Sequence, residues 1–154
     1  MSRFKTIQLS TEPVSKDNYI NLGHICEDNL FLERSDYGGD PVEDEKEALE
    51  IIKKDLKSIG EVDVEKRTLT FRPKKEILED YKQFVKRLYK EHKKFLKEGC
   101  IQFWRFHREL EDFGAISDIF YINFCITPSY LVQDYINGYL PDVLHIGAIL
   151  DAHC

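Results

Sequence analysis

His107 and Glu111 are the residues whose types and spacing come nearest to catalytic chemistry in this chain. If Ile101 to Phe113 is helical, Trp104, His107, Arg108 and Glu111 share one face at spacings of three and four, which lets an imidazole meet a carboxylate. A hydrolase or transferase would use such a pair as base and orienting group, and a metal site would use it as two ligands. No third ligand stands nearby, so packing and ordinary hydrogen bonding are the expected roles, and no catalytic residue, metal or cofactor is assigned. Cys100 and His107 do not make a nucleophile dyad, because seven helical residues separate them by about 10 Å along the axis.

Two further patterns are read as chance. Asp63, Glu65 and Arg67 loosely resemble the carboxylates and cation of a metal-dependent nuclease strand, but a turn expected through Glu65 to Arg67 breaks their shared face. His24 with Cys26, and His153 with Cys154, would suit a soft metal only if two distant pairs met. Phosphate loops, dinucleotide fingerprints, His-Glu-x-x-His helices, EF-hand loops and Gly-x-Ser-x-Gly elbows are all absent from the sequence.

Charge gives the stronger signals. Residues 1 to 64 carry 8 Lys and Arg against 15 Asp and Glu, residues 65 to 108 carry 14 against 6, and residues 109 to 154 carry none against 7. The net charge of −6 therefore hides a basic middle between two acidic ends. On a helix over 73–98, Lys75, Lys82, Lys86, Lys90, Lys93 and Lys97 fall within about 80° of one another, opposite the apolar side. Such a stripe suits a phosphate backbone or an acidic partner, although a solvated face is its ordinary meaning. In the last block Tyr130, Asp134, Tyr135, Tyr139 and Asp142 combine aromatic area with acidic charge, which suits a partner with a basic surface.

These groups need a fold to position them. A chain of 154 residues with 42% hydrophobic content supports one domain spanning 1–154 with a core of its own. Four singly placed cysteines suit reduced thiols, and no apolar run is long enough for a membrane span, so a cytoplasmic protein with no membrane contact is expected.

Alternation predicts an opening strand around Phe4, Ile7 and Leu9, another within Ile25 to Glu33, and a hairpin pairing Val62 and Val64 with Leu69 and Phe71. Turn chemistry fills Ser35 to Pro41. Helical spacing links Ala48, Leu49, Ile52, Leu56 and Ile59, with Gly60 expected to end that helix. Pro73 to Glu98 is the strongest helix, with Ile77, Tyr81, Phe84, Leu88 and Phe95 on one side and Gly99 after it. The run from Ile116 to Cys125, apolar on both alternating sets, predicts the central strand, and Thr127 and Pro128 predict a capped helix ending near Gly138. Residues 142–154 suit a strand or a short helix, with Gly147 weakening both.

The expectation is a single α+β domain with an antiparallel or mixed sheet of about four to six strands packed against the long helix and shorter ones. For function it is a non-enzymatic binding protein, specified further as an inhibitor, antitoxin or immunity-type factor showing its acidic aromatic face to a basic protein. The alternative is a nucleic-acid-associated protein using the Lys stripe.

Overall fold

The computed structural model describes residues 3–21, 40–113, 119–122 and 124–153, with backbone alone at 3, 4, 119, 124, 125, 152 and 153. The expected strand within 25–33, most of the 35–41 turn, and His24, Cys26 and Cys154 lie outside the described residues. The elements are β1 (Arg3–Ser10), β2 (Asp40–Pro41), α1 (Glu45–Asp55), β3 (Gly60–Asp63), β4 (Thr68–Phe71), α2 (Lys74–Lys97), α3 (Phe103–Glu111), β5 (Ile119–Ile122), β6 (Phe124–Ile126), α4 (Pro128–Ile136) and β7 (Val143–His153).

Six strands run in the order β3-β4-β7-β1-β5-β6, and the two-residue β2 pairs with the far end of β7. β1 and β5 are parallel while the other neighbours are antiparallel, so the sheet is mixed and the domain is α+β. The centre differs from expectation. Ile116 to Cys125 was to supply it, but the described part of that run forms β5 and β6, an antiparallel pair at one end of the sheet. The ambiguous last segment is instead the 11-residue β7, which lies between β4 and β1.

The reason lies at Gly147. On β1, Ile7 and Leu9 are two residues apart, while their partners on β7, Ile149 and Ile146, are three apart, so Gly147 and Ala148 together oppose Gln8 in a β-bulge. The extra residue moves the core-facing set of β7 from Leu144 and Ile146 to Ile149 and destroys the alternation by which a strand is recognised. A Cβ at Gly147 would run into the Gln8 side chain. That side chain is buried and bonded through both its oxygen and its nitrogen: Oε1 accepts from Ala148 N at 3.0 Å and Ile20 N at 3.1 Å, and Nε2 donates to Asn18 O at 3.0 Å. Gln8 thus satisfies the freed bulge amide and pins the segment around Lys16–Asn18 to the sheet.

Ile7, Ile52, Leu69, Phe120, Leu131 and Leu144 anchor one core between the sheet and the helices. α1 begins where Asp44 Oδ1 accepts from Glu47 N at 2.9 Å and buries Ala48, Leu49 and Ile52. It gives way to a 3-10 turn, so Gly60 does not end it. Gly60 opens β3 instead, where a side chain would meet Thr70 O at 2.5 Å. α4 starts at Pro128 as expected, but the Thr127 hydroxyl bonds Ser129 Oγ at 2.9 Å and leaves the helix end uncapped by that side chain. Gly138, at φ +84°, follows its end.

α2 reaches beyond the domain body. Its 24 residues extend about 36 Å, yet only Ile77 and Leu88 are fully buried and only Ile77 joins the main core. Gly99, at φ +75°, reverses the chain, and α3 returns alongside.

Candidate functional site

α2 and α3 form an antiparallel helical hairpin held by a narrow line of contacts. Phe113 packs edge-on to Tyr81 at 5.1 Å and lies 5.3 Å from Phe84, while Phe106 meets His92 edge-on at 4.5 Å. Between them Glu109 accepts from Arg105 Nε at 2.7 Å and lies 3.0 Å from His92 Nε2. The Arg105 hydrogen bond, and then that of His92, hold the Glu109 carboxyl below its ordinary value. A depressed carboxyl favours the folded hairpin above the ordinary carboxylate range and loses that contribution as pH falls through the lowered value. Amide exchange in α3, corrected for intrinsic rates, should therefore accelerate on acidification, and Glu109→Gln should reproduce the effect at neutral pH. Unchanged α3 protection in that variant would remove Glu109 as the clasp.

Away from this line the hairpin is apolar and open. Tyr89 and Leu96 are each 60% exposed, Ile101 81%, Phe103 79% and Trp104 72%, and α3 buries no residue fully. At the hairpin's base a cleft of about 350 Å³ is lined by Leu78 and Tyr81 of α2, Leu110 and Glu111 of α3, and Tyr130 and Gln133 of α4. The Tyr130 hydroxyl donates to Glu111 Oε1 at 3.2 Å, and that bond raises the phenol's pKa. His107 also lines the cleft, but its Nδ1 stands 3.9 Å from Glu111 Oε1, beyond hydrogen-bond reach, and both side chains are largely exposed. Glu111 therefore ties α4 to α3 in this geometry and does not orient His107.

The six lysines Lys75, Lys82, Lys86, Lys90, Lys93 and Lys97 all lie exposed along α2. Lys82 pairs with Glu79 of the same helix at 3.8 Å and Lys93 sits 5.8 Å from the Tyr89 ring centre. Among the described residues, no acidic group from outside α2 pairs with any of the six.

The acidic aromatic set divides. Tyr135 is a core residue, not a contact residue: its ring stacks on Phe71 at 4.2 Å, Lys74 Nζ lies 5.0 Å from its centre, and its hydroxyl donates to Asp142 Oδ1 at 3.2 Å. Burial foremost, and then Asp142, raises its pKa. Tyr130, Tyr139 and Asp142 are exposed, and Asp134 is half-buried. The pattern of Asp63, Glu65 and Arg67 disperses: Asp63 accepts from Lys66 N at 2.9 Å, Glu65 lies 3.9 Å from Lys46, and Arg67 turns inward.

Among the described residues no three His, Cys, Asp or Glu side chains could hold a metal ion, and no helix is long and apolar enough to cross a membrane. Comparison with family models, curated proteins and solved structures gives no match. The surface that sequence reasoning missed is the open strip around Tyr89, Leu96 and Phe103. Its signal was present, since an apolar arc sustained over 24 residues is longer than one small body can cover.

Proposed function

We propose that this is a non-enzymatic binding protein that captures a macromolecule through the α2–α3 hairpin. One observation carries the reading: the apolar pattern of both helices continues past the domain body and stays exposed at Tyr89, Leu96, Phe103 and Trp104. Contiguous apolar surface rimmed by charge marks contact sites in folded proteins. Inhibitor, antitoxin and immunity-type factors work in this manner, occupying a partner's surface without chemistry of their own. A cytoplasmic setting suits the four singly placed cysteines.

A second reading keeps the expected basic partner and places it at the end of α4, where Tyr139 and Asp142 are exposed beside Asp134. The experiment separates the two. Leu96→Glu with Phe103→Glu changes only exposed positions, so stability should stay within about 0.5 kcal/mol, while the species retained from a native lysate by the unaltered protein should be lost. Asp134→Lys with Asp142→Lys should leave retention intact. Retention that survives the hairpin variant and disappears with the aspartate variant transfers the function to α4, and retained nucleic acid in place of protein selects the Lys stripe.

A further inference from the structure

Resting on the hairpin reading, we infer that the open strip between α2 and α3 is a seat for an amphipathic helix with an acidic flank, supplied by a protein partner. At 100° per residue, Leu78, Val85, Tyr89 and Leu96 fall within about 40° of one another on α2, and Phe103, His107 and Leu110 within about 60° on α3. Leu78, His107 and Leu110 line the basal cleft, so these two rows face the same side. The apolar strip therefore runs from the cleft to the end of the hairpin.

The inner end of the strip shows what kind of body fits it, because a helix of this chain, α4, already lies there with Tyr130 and Gln133 in the cleft wall. Beyond α4 the span from Val85 to Leu96 is about 16 Å, three turns of a helix, and nothing among the described residues covers Tyr89, Leu96 or Phe103. An occupying helix would present apolar residues three and four apart to this strip.

Charge fixes the rest of the partner. Lys82, Lys86 and Lys93 border the strip on α2, about 20 to 60° beyond Tyr89, whereas Glu79 is further round and paired with Lys82, and Glu91 lies on the opposite side. On the α3 border Glu111 comes first, about 40° beyond His107 and bonded to Tyr130, with Arg108 about 60° further round, 5.4 Å from the Trp104 ring centre, so the positive border is the one on α2. α2 as a whole holds nine Lys and Arg against four Asp and Glu. A second copy of this chain would bring two such helices together and repel, while Glu or Asp flanking an apolar row would pair with the lysine border of α2.

The probe is a fluorescein-labelled stapled helical peptide of about four turns, with Leu at spacings of three and four and Glu along one flank. A matched peptide carries Lys in place of Glu. Anisotropy should saturate with the Glu peptide and be at least about tenfold weaker with the Lys peptide. Trp104 is the only tryptophan, so its emission should shift to the blue as the strip is covered. Leu96→Asp with Phe103→Asp should weaken the Glu peptide about tenfold or more, and Lys82→Glu with Lys86→Glu and Lys93→Glu should invert the preference between peptides.

Equal binding of both peptides, no binding, or tighter binding of an oligo-dT strand or of phosphatidylserine vesicles would overturn the inference. If the peptides fail while lysate retention still depends on Leu96 and Phe103, the helix seat alone is wrong. If retention is indifferent to those residues, the hairpin reading falls as well.

Discussion

Gln8→Leu is expected to destabilise the domain by about 3 kcal/mol and to lower its Tm by about 6 to 12 °C, read by urea unfolding and calorimetry. The substitution preserves much of the apolar volume and removes three hydrogen bonds, those to Ala148 N, Ile20 N and Asn18 O. Water reaches the last two more easily, because Asn18 is exposed and Ile20 is half-buried. The Ala148 amide is buried within the bulge, so its unpaired N–H bears most of the cost. A change below about 0.5 kcal/mol would mean that the bulge relaxes and re-pairs that amide without the side chain.

That single glutamine also marks where sequence reading stops. A polar residue between Ile7 and Leu9 reads as the solvent face of an ordinary half-exposed strand, but its face is covered, and Thr6, Gln8, Ala148 and Leu150 are all buried there. The sheet's two central strands are therefore buried on both faces. One of them hides the fact behind Thr6 and a glutamine that finds its partners, and the other behind a glycine that breaks its period. Local patterns without such long-range partners were legible. The hairpin pairs Val62 with Leu69 as alternation requires, and α2 begins one residue after Pro73 and ends one residue before Glu98.

For the surface the failure was of another kind. Periodicity records which residues are apolar and says nothing about whether a partner for them lies in the same chain. Leu88 and Leu96 both belong to the apolar arc of α2, yet one is buried and the other open, because Leu96 lies about 80° round from Leu88, off the side that α3 covers. The same geometry explains why the charge blocks do not neutralise one another over α2. The lysines follow the helix outward, where no described acidic residue from another element reaches them, whereas Arg67 and Arg72, nearer the sheet, pair with Glu45 and Asp80 at 2.7 Å. The basic character of the molecule is thus concentrated on the part that projects.

Arg67→Met should cost about 2 to 4 kcal/mol, because Arg67 ties the bulge to the rest of the fold. Its Nε donates to Ile146 O at 3.2 Å, one terminal nitrogen donates to Gly147 O, and the other donates to Glu45 Oε2 at 2.7 Å, while Tyr19 lies 5.6 Å from the guanidinium carbon. The planar fork meets three acceptors from two parts of the chain at once, a geometry that an ammonium group does not reproduce, so Arg67→Lys should recover little of the loss. Arg67 also stands at φ +52°, a backbone region costing an ordinary residue about 1 kcal/mol that glycine does not bear. Arg67→Gly should consequently be less damaging than Arg67→Met by about 1 kcal/mol, although it deletes more of the side chain. Urea midpoints for the three variants decide it: if Met and Gly are equally tolerated and both lie close to the unaltered protein, the side chain is a surface ornament of the turn. If Met is the most damaging and Lys stays near it, a residue in an unfavourable conformation is being held there by the acceptors its guanidinium reaches.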